Sequence, residues 1–273
     1  MNEVSESDIR IIAQKVKNDG VVLKKNWLDK KTINRMKNVL DSSMATCKGN
    51  LRGIYSTKPK QFLRDLVSLD FVKFYNSLYL LKINKKLNLK KIAQEILNAD
   101  VDLMRIDGYI SEVSEESIIP WHQDQAFSGK HNVKKENYLH PSKGLIKFNF
   151  FLTDADFSNG GFAYIPKSHR VTIAHKTALF DNIIDYEPFW SLPDFRKIVI
   201  KHRELLKNNI GNEYLDFFLE QTQFLSTCSD TDVFDIYAES GSAVIFDEHG
   251  FHRASPPRLN NRYLIRFIYR RKT

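Results

Sequence analysis

Hydrophobic residues in the first hundred positions recur at the spacing of amphipathic helices. In Ser5–Lys17, the side chains of Ile11, Ile12 and Val16 fall on one face, and Gly20 ends the pattern. The run Val21–Leu23 that follows predicts a short strand. Helical spacing returns over Lys30–Leu40, Gln61–Leu81 (with a break at Asp70) and Lys90–Leu97, which are predicted to be further helices. Residues 1–100 are therefore predicted to be mainly helical and to support the rest of the fold.

From Val101 onward, the pattern changes to short segments of β-branched and aromatic residues separated by turns. These segments predict strands over Leu103–Ile110, Ile118–His122, Leu145–Leu152, Gly161–Ile165, Ala243–Phe246 and Arg262–Tyr269. Repeated short strands are typical of a sandwich or a barrel. A mostly helical stretch between His169 and Tyr237 interrupts them, with helices predicted over Leu192–Asn209 and Glu213–Phe224.

Together these patterns predict a mainly β fold with helical decoration, in a single domain covering residues 1–273. Residues 101–169 and 237–273 are predicted to form the β core, and residues 170–236 a helical insertion. An insertion of this length inside a β core is often a lid or a substrate-facing element.

The composition is typical of a soluble globular protein without covalent cross-links. Hydrophobic residues make up 42% and charged residues 27% of the 273 positions. The two cysteines, Cys47 and Cys228, lack CxxC spacing, so we expect neither a disulfide framework nor a zinc ribbon, and we expect a reducing cytoplasm as the location. The polar, acidic N-terminus does not resemble a signal peptide, and no apolar run approaches the roughly 18 residues that span a bilayer. We therefore expect no membrane partner.

The net charge of +8 favours anionic partners. The basic residues are dispersed and consist mainly of lysine, and the densest groups lie at Lys82–Lys91 and Arg270–Lys272. Neither group interleaves aromatic residues in a nucleic-acid-binding module, so we interpret both as solvated faces and expect no nucleic-acid partner.

The first candidate for chemistry is the segment Pro120-Trp121-His122-Gln123-Asp124-Gln125. On a strand, residues two apart share a face, so His122 and Asp124 can point at one atom, whereas a helix would turn them apart. A lone His-x-Asp is weak support for a metal site, because a histidine at a strand end is more often hydrogen-bonded to its surroundings.

A second histidine lies at the far end of the apolar strand Ala243–Phe246, at His249 or His252. One histidine and one carboxylate close together, joined by a distant histidine, are the ligands of the facial triad in non-haem Fe(II) oxygenases. Such a triad leaves three coordination positions for a chelating cosubstrate and dioxygen. We favour His252 over His249 because of the arginine that follows it.

Arg262 lies ten positions beyond His252, and Pro256, Pro257 and the Asn260-Asn261 turn separate the two. The chain is expected to fold back there and place Arg262 on an antiparallel neighbouring strand close to the metal. An arginine buried without a partner is costly, so a cosubstrate carboxylate is its natural bidentate ligand. Arg266, on the same predicted strand face, is the alternative anchor.

The combination of WHQD at 121–124, NGGFAYIPKSH at 159–169 and FHRASPP…NNR at 251–262 resembles the phytanoyl-CoA dioxygenase family. The opening Gly20-Val21-Val22-Leu23 is also similar to the first strand of that family. The resemblance implies a double-stranded β-helix core (jelly roll, cupin-like), with Fe(II) as the metal and 2-oxoglutarate as the cosubstrate.

Carried over by position, the resemblance implies His122, Asp124 and His252 as iron ligands and Arg262 as the partner of the distal 2-oxoglutarate carboxylate. It also implies cosubstrate or substrate contacts for Asn149 and Tyr109.

Departures from the family pattern fall at two turns and leave the metal ligands intact. Lys167 replaces the usual glycine of a PGSH turn, and Ala254 replaces a frequent serine after the distal histidine. Because Asp124 is retained, halogenation is not expected. Gln123 and Gln125 are candidates to orient the imidazoles, although strand-flanking residues usually face solvent.

The activity implied is oxidative decarboxylation of 2-oxoglutarate by dioxygen, coupled to hydroxylation of an unactivated C–H bond. The substrate is expected to be small and anionic or carrier-linked, and Lys147, Arg170 and Arg266 are candidates to meet its charge. Desaturation, cyclisation or epimerisation on the same centre is an alternative outcome. A catalytically silent β-helix protein that only binds ligands is another.

Overall fold

The computed structural model describes residues 4–44, 52–114, 119–124, 144–156, 158–187, 189, 191–224 and 233–272. Within these ranges the helices are α1 (Glu6–Asp19), α2 (Lys30–Met44), α3 (Pro59–Val67), α4 (Phe71–Lys86), α5 (Leu89–Leu97), α6 (Ser168–Phe180), α7 (Leu192–Lys201), α8 (Arg203–Ile210) and α9 (Asn212–Gln221). The strands are β1 (Val21–Lys24), β2 (Arg52–Tyr55), β3 (Val101–Ser111), β4 (Ile119–His122), β5 (Leu145–Phe151), β6 (Phe162–Tyr164), β7 (Asp235–Ile236), β8 (Ala243–Asp247), β9 (His252–Ala254) and β10 (Arg262–Arg271).

The strands form two antiparallel sheets. The larger sheet has the order β1-β8-β5-β10-β3-β2, and the smaller has the order β4-β9-β6-β7. Strands that are distant in sequence lie next to each other, as β8 does between β1 and β5. The sheets pack face to face, so that the rings of Phe162 from the smaller sheet and Phe246 from the larger lie 4.8 Å apart between centroids. This arrangement confirms the predicted jelly-roll core.

Three apolar clusters follow from this layering. The first packs α1, α2, α4 and α5 against the outer face of the larger sheet, around residues such as Leu40, Leu80 and Phe148. The second packs the helical insertion against the smaller sheet, around Phe195 and Phe251. The third lies between the two sheets. Each sheet therefore has helices on its outside and shares its inner face with the other sheet.

The N-terminal helices lie where the sequence predicts, although α2 continues to Met44 and α4 to Lys86, each beyond its predicted end. Ser5 caps the first turn of α1 by accepting a hydrogen bond from the backbone of Asp8, and Gly20 ends that helix in the left-handed region at φ 82°. The predicted break at Asp70 is confirmed, because the Asp70 side chain caps α4 and separates it from α3. Strand β2, at the edge of the larger sheet, was not predicted.

In the insertion, the predicted helix Leu192–Asn209 is wrong as one continuous element. It divides at His202 into α7 and α8. The starting residue Ile118 of the predicted strand Ile118–His122 and the candidate Gln125 lie outside the described residues. The division of the chain into support, core and lid within one domain stays a prediction.

Among the described helices, none combines the length and the apolar character that crossing a membrane requires. The cytoplasmic location and the lack of a nucleic-acid partner also stay predictions.

A buried histidine in the insertion makes stability depend on pH. His175 of α6 packs edge-on against Phe195 at 5.2 Å, and neither ring nitrogen has a hydrogen-bond partner among the described residues. Burial lowers the pKa of His175 to about 4. The folded state therefore resists protonation, whereas the unfolded chain takes up a proton near its ordinary pKa of about 6.5.

The contribution of neutral His175 is therefore complete above pH 6.5 and is lost as the pH falls toward 4. Between pH 7.5 and 5.0 we expect the wild type to lose about 2 kcal/mol more unfolding free energy than His175→Phe. Urea denaturation at the two pH values measures this difference. Equal losses in the two proteins would contradict the assignment of a neutral buried imidazole.

Candidate metal centre

Two neighbouring strands of the smaller sheet bring the predicted histidines together. His122 on β4 is the register partner of His252 on β9, and their ring centroids lie 4.5 Å apart. Asp124 follows directly after β4, two residues from His122. One ligand atom from each of the three residues lies within 4.8 Å of the others. His249, the alternative to His252, lies outside this group and instead contacts Asp247 at 2.8 Å.

Backbone carbonyls set the orientation of both imidazoles. His122 Nδ1 lies 2.7 Å from the carbonyl of Pro120, and His252 Nδ1 lies 3.0 Å from the carbonyl of Gly250. A carbonyl can only accept, so each Nδ1 carries a proton, and in a neutral imidazole this leaves the lone pair of Nε2 available to a metal. The two Nε2 atoms lie 3.6 and 3.2 Å from the Asp124 carboxylate.

Of the two glutamines considered for this orientation, Gln125 lies outside the described residues, and only Gln123 can be compared with the expectation. Gln123 is buried, contrary to the expectation of a solvent-facing side chain, and its amide makes no hydrogen bond to either imidazole among the described residues. The carbonyls of Pro120 and Gly250 perform that role.

The charges at the site favour the protonation states that metal ligands need. Burial lowers the pKa of His252, which keeps its imidazole neutral. Burial acts to raise the pKa of Asp124, but its close contacts with the His122 and His252 imidazoles and the charge of Lys147 outweigh it and hold that pKa below its usual value. Two neutral imidazoles and one carboxylate are the donor set of a facial Fe(II) site.

Lys147 holds the Asp124 carboxylate from the opposite sheet. Its ammonium contacts Asp124 and lies 3.1 Å from Glu248, and its side chain is only 6% exposed. Sequence analysis had considered Lys147 for a substrate charge, but both carboxylates already engage it. The second predicted candidate, Arg170, lies elsewhere, where it donates to the carbonyl of Lys17 and stacks on Tyr214.

The ligand group opens onto a cavity of about 140 Å³ between the two sheets. Its apolar lining consists of Phe151, Phe162, Phe246, Ala254 and Leu264. Its polar lining consists of Tyr109, Ser111, His122, Asp124, Asn149, His252, Arg253, Arg262 and Arg266. The six residues to which the family resemblance gave roles, His122, Asp124, His252, Arg262, Asn149 and Tyr109, therefore all line one cavity.

The two candidate arginines on β10 differ in their partners. Arg266 forms a bidentate ion pair with Asp107, through contacts of 2.8 and 3.0 Å, and donates to the Tyr109 hydroxyl at 2.6 Å. Arg262 has no carboxylate partner among the described residues, and its Nε has no hydrogen-bond partner there. Burial, with the nearby charge of Arg266, lowers the pKa of Arg262 to about 10. The guanidinium of Arg262 is therefore the one left to bind an incoming carboxylate.

The turn at Asn159-Gly160 packs against the Arg262 side chain and fixes its position. The carbonyl of Gly160 accepts from Arg262 Nη1 at 2.6 Å, and a Cβ at Gly160, where φ is 74°, would lie 2.9 Å from Arg262 Cδ. The side-chain oxygen of Asn159 accepts from the backbone of Leu259 and Asn260. Glycine is thus required at position 160 by both the backbone angle and the close approach.

The strand that carries Arg262 differs in its position from the sequence-based expectation. The chain does fold back after His252, but β10 belongs to the larger sheet, so Arg262 faces the histidines across the cavity instead of from an adjacent strand. The hydroxyl that approaches Arg262 comes from Ser111, at 3.1 Å from Nη2. Ser255, which follows Ala254, is buried against Arg253.

Comparisons with known proteins were made on both sequence and structure. A search of curated protein sequences found no match. The sequence profile of the family described as Phytanoyl-CoA dioxygenase (PhyH) matches residues 16–258.

Three solved structures illustrate the structural similarity. AviO1 from Streptomyces viridochromogenes Tue57 is 14% identical, with 99% of this chain and 96% of that chain covered and a TM-score of 0.54. HygX from Streptomyces hygroscopicus with iron bound is also 14% identical (96% and 87% covered, TM-score 0.55). The epimerase SnoN in complex with Fe3+, alpha ketoglutarate and nogalamycin RO is 12% identical (98% and 85% covered, TM-score 0.53). At these identities the likeness shows a shared fold.

Measurements of Fe(II) affinity distinguish His252 from His249 as the third metal ligand. We expect His252→Ala to weaken Fe(II) binding by at least about 100-fold, because it removes one of three ligands whose atoms converge. His249→Gln, the matched buried control, is expected to leave the affinity within about threefold, since His249 contacts Asp247 instead of the ligand group. Anaerobic calorimetric titration with Fe(II) measures both values. The reverse order of the two variants would contradict the ligand assignment.

Proposed function

The chain belongs to the phytanoyl-CoA dioxygenase family, and from this premise we propose that it is an Fe(II)- and 2-oxoglutarate-dependent dioxygenase that hydroxylates an unactivated C–H bond. One observation supports the proposal above all. The convergent His122, Asp124 and His252 share a cavity with Arg262, a buried guanidinium that has no carboxylate partner among the described residues.

In this proposal His122, Asp124 and His252 hold the iron, and Arg262 binds the distal carboxylate of 2-oxoglutarate. Bound iron, with 2-oxoglutarate and dioxygen, supplies the oxidising power for the C–H bond and yields succinate and carbon dioxide. The protein holds the ligands in place and orients the substrate. It also keeps the cavity dry with the rings of Phe151, Phe162 and Phe246.

Asn149 and Tyr109 have supporting roles in the proposal. Both line the cavity from the larger sheet, and the Asn149 Oδ1 is buried without a hydrogen-bond partner among the described residues. That oxygen can accept a hydrogen bond from a bound molecule, and satisfying it removes an unfavourable buried group. The Tyr109 hydroxyl is already fixed by Arg266, so it presents a positioned oxygen to the cavity.

We propose a small substrate that is anionic or carrier-linked. The net charge of +8 supports this choice. The cavity's arginines support it less, since Arg266 is neutralised by Asp107 and Arg262 is assigned to the cosubstrate.

A second candidate is a different oxidative outcome on the same centre, such as epimerisation, cyclisation or desaturation. SnoN, which shares the fold, is an epimerase. The same three ligands can serve any of these outcomes, because the fate of the oxidised carbon depends on substrate placement. Analysis of the product distinguishes them.

The role of Arg262 generates a binding prediction. We expect Arg262→Gln to weaken binding of 2-oxoglutarate to the Fe(II)-loaded protein by at least about 30-fold, because removing one partner of a buried charge pair costs about 2–5 kcal/mol. Fe(II) affinity is expected to stay within about threefold of wild type. Anaerobic calorimetry measures both constants. Wild-type 2-oxoglutarate affinity in Arg262→Gln would contradict the assignment and redirect attention to Arg266.

The reaction itself is tested with ¹⁸O₂. Protein supplied with Fe(II), 2-oxoglutarate and a panel of small anionic compounds is expected to form succinate containing one ¹⁸O atom, and Asp124→Ala is expected to form none. A product heavier than its substrate by one ¹⁸O atom supports hydroxylation, and succinate formation without such a product favours the second candidate. No succinate from iron-loaded wild type would contradict both.

A further inference from the structure

The hairpin of α3 and α4 presents an apolar face to solvent. We call it the hairpin face and define it by the exposed side chains of Leu63, Leu66, Val67, Leu69, Phe71, Val72, Tyr75 and Leu78. Within α3, the polarity is inverted relative to a surface helix. Leu63, Leu66 and Val67 point outward, while Asp65 is 2% exposed and held by Ser56 and Lys73. Phe62 is the exception among the apolar side chains, since it is half-buried and packs on Phe74. Such an inversion indicates that water is not the only environment of this face.

Helix α4 also exposes apolar side chains, because it is apolar on both its inner and its outer side. Its inner side buries Leu80 and Ile83 against the core. Its outer side carries Phe71, Tyr75 and Leu78, at the i, i+4, i+7 spacing of a continuous stripe. A helix that is apolar on both sides is normally covered on both sides, and the described structure covers only one.

The turn between the helices exposes a further apolar side chain. Leu69 is 71% exposed and adopts φ 56°, in the left-handed region that disfavours a bulky residue. Asparagine or glycine is the usual choice at such a position. The turn therefore carries leucine at a conformational cost, and the described residues do not bury its side chain.

The segment of the chain that contains the hairpin face is rich in positive charge. Residues 58–91 contain nine Lys and Arg against two Asp, a net charge of +7 out of +8 for the whole chain. The outer stripe of α4 continues past Leu78 into Lys82, Lys85 and Lys86, which are all exposed. The apolar side chains and the cations thus lie along one surface of one helix.

We propose that the hairpin face docks on an anionic lipid surface, with the apolar side chains at the acyl boundary and the lysines among the headgroups. An amphipathic, lysine-rich helix that lies flat on a membrane has this distribution. A protein partner fits less well, because protein interfaces are depleted in lysine and enriched in arginine, and here eight of the nine cations are lysine.

This proposal concerns a peripheral contact and so revises the expectation of no membrane partner, which considered only spanning segments. It does not depend on the proposed function, because neither the hairpin face nor its lysines line the metal cavity.

Vesicle sedimentation of the full chain tests the proposal. At low ionic strength we expect binding to phosphatidylcholine vesicles that contain about one third phosphatidylglycerol, and little binding to phosphatidylcholine alone. Two double variants test the apolar and the electrostatic contributions to binding separately. Leu63→Gln/Leu69→Asn removes apolar contact and suits the left-handed turn, and Lys82→Glu/Lys86→Glu reverses charge. Each is expected to lower the partition coefficient at least tenfold.

Matched controls use exposed residues outside the face. Ile183→Gln/Leu259→Asn removes apolar side chains of 54% and 67% exposure, and Lys15→Glu/Lys197→Glu makes the same change in net charge. Both are expected to bind as the wild type does. Equal losses in variants and controls, or no vesicle binding by wild type, would overturn the proposal. So would a dimer in light scattering that only Leu63→Gln/Leu69→Asn dissociates, since the face would then be a self-association surface.

Discussion

The site depends on the pairing of β4 with β9 in the register that sets His122 opposite His252. A strand alternates its side chains between two faces, so a shift of one residue would turn one imidazole away from the cavity. The same register places the carbonyls of Pro120 and Gly250 beside the two Nδ1 atoms. One set of backbone hydrogen bonds therefore determines the position of both rings and the nitrogen that each ring presents. Asp124 lies two residues after His122, just past the end of β4, and completes the group of ligands.

The larger sheet completes the site through its charges. Three cationic groups, Lys147, Arg262 and Arg266, extend from its inner face toward the metal side. Lys147 lies between Asp124 and Glu248, and Arg266 lies against Asp107, so both are neutralised within the protein. Among the described residues, the acceptors of Arg262 are the carbonyl of Gly160 and the hydroxyl of Ser111. An anion in the cavity would remove the cost of that buried charge, which is why the geometry favours a carboxylate cosubstrate.

How far the sequence predicts this arrangement depends on the range of the interactions involved. The period of two on a strand is local, and it placed His122 with Asp124 and put Arg262 and Arg266 on one face of β10. The sheet that β10 joins is decided by pairing with β3 and β5, far along the chain, and the prediction of a strand adjacent to β9 was wrong for that reason. Local patterns also could not predict contacts across the cavity, such as the ion pair of Lys147 with Asp124, because the two residues come from different sheets.

Backbone conformation marks another limit of sequence reasoning. Lys167 stands where the family pattern usually has a glycine, and it adopts a left-handed backbone conformation at φ 64°. Its ammonium lies over the rings of Tyr214 and Phe217, which offsets part of the strain. These contacts depend on where α9 packs, and nothing near residue 167 in the sequence indicates it.

The central claim is that one cavity assembles an iron site and a carboxylate anchor. Anaerobic addition of Fe(II) and then 2-oxoglutarate to the purified protein tests it most directly, with absorption followed through the visible range. A weak metal-to-ligand charge-transfer band that forms only when both are present, that is absent in Asp124→Ala and that needs more 2-oxoglutarate in Arg262→Gln is the predicted result. A folded protein that retains no iron, or that binds iron and shows no band at saturating 2-oxoglutarate, would contradict the account.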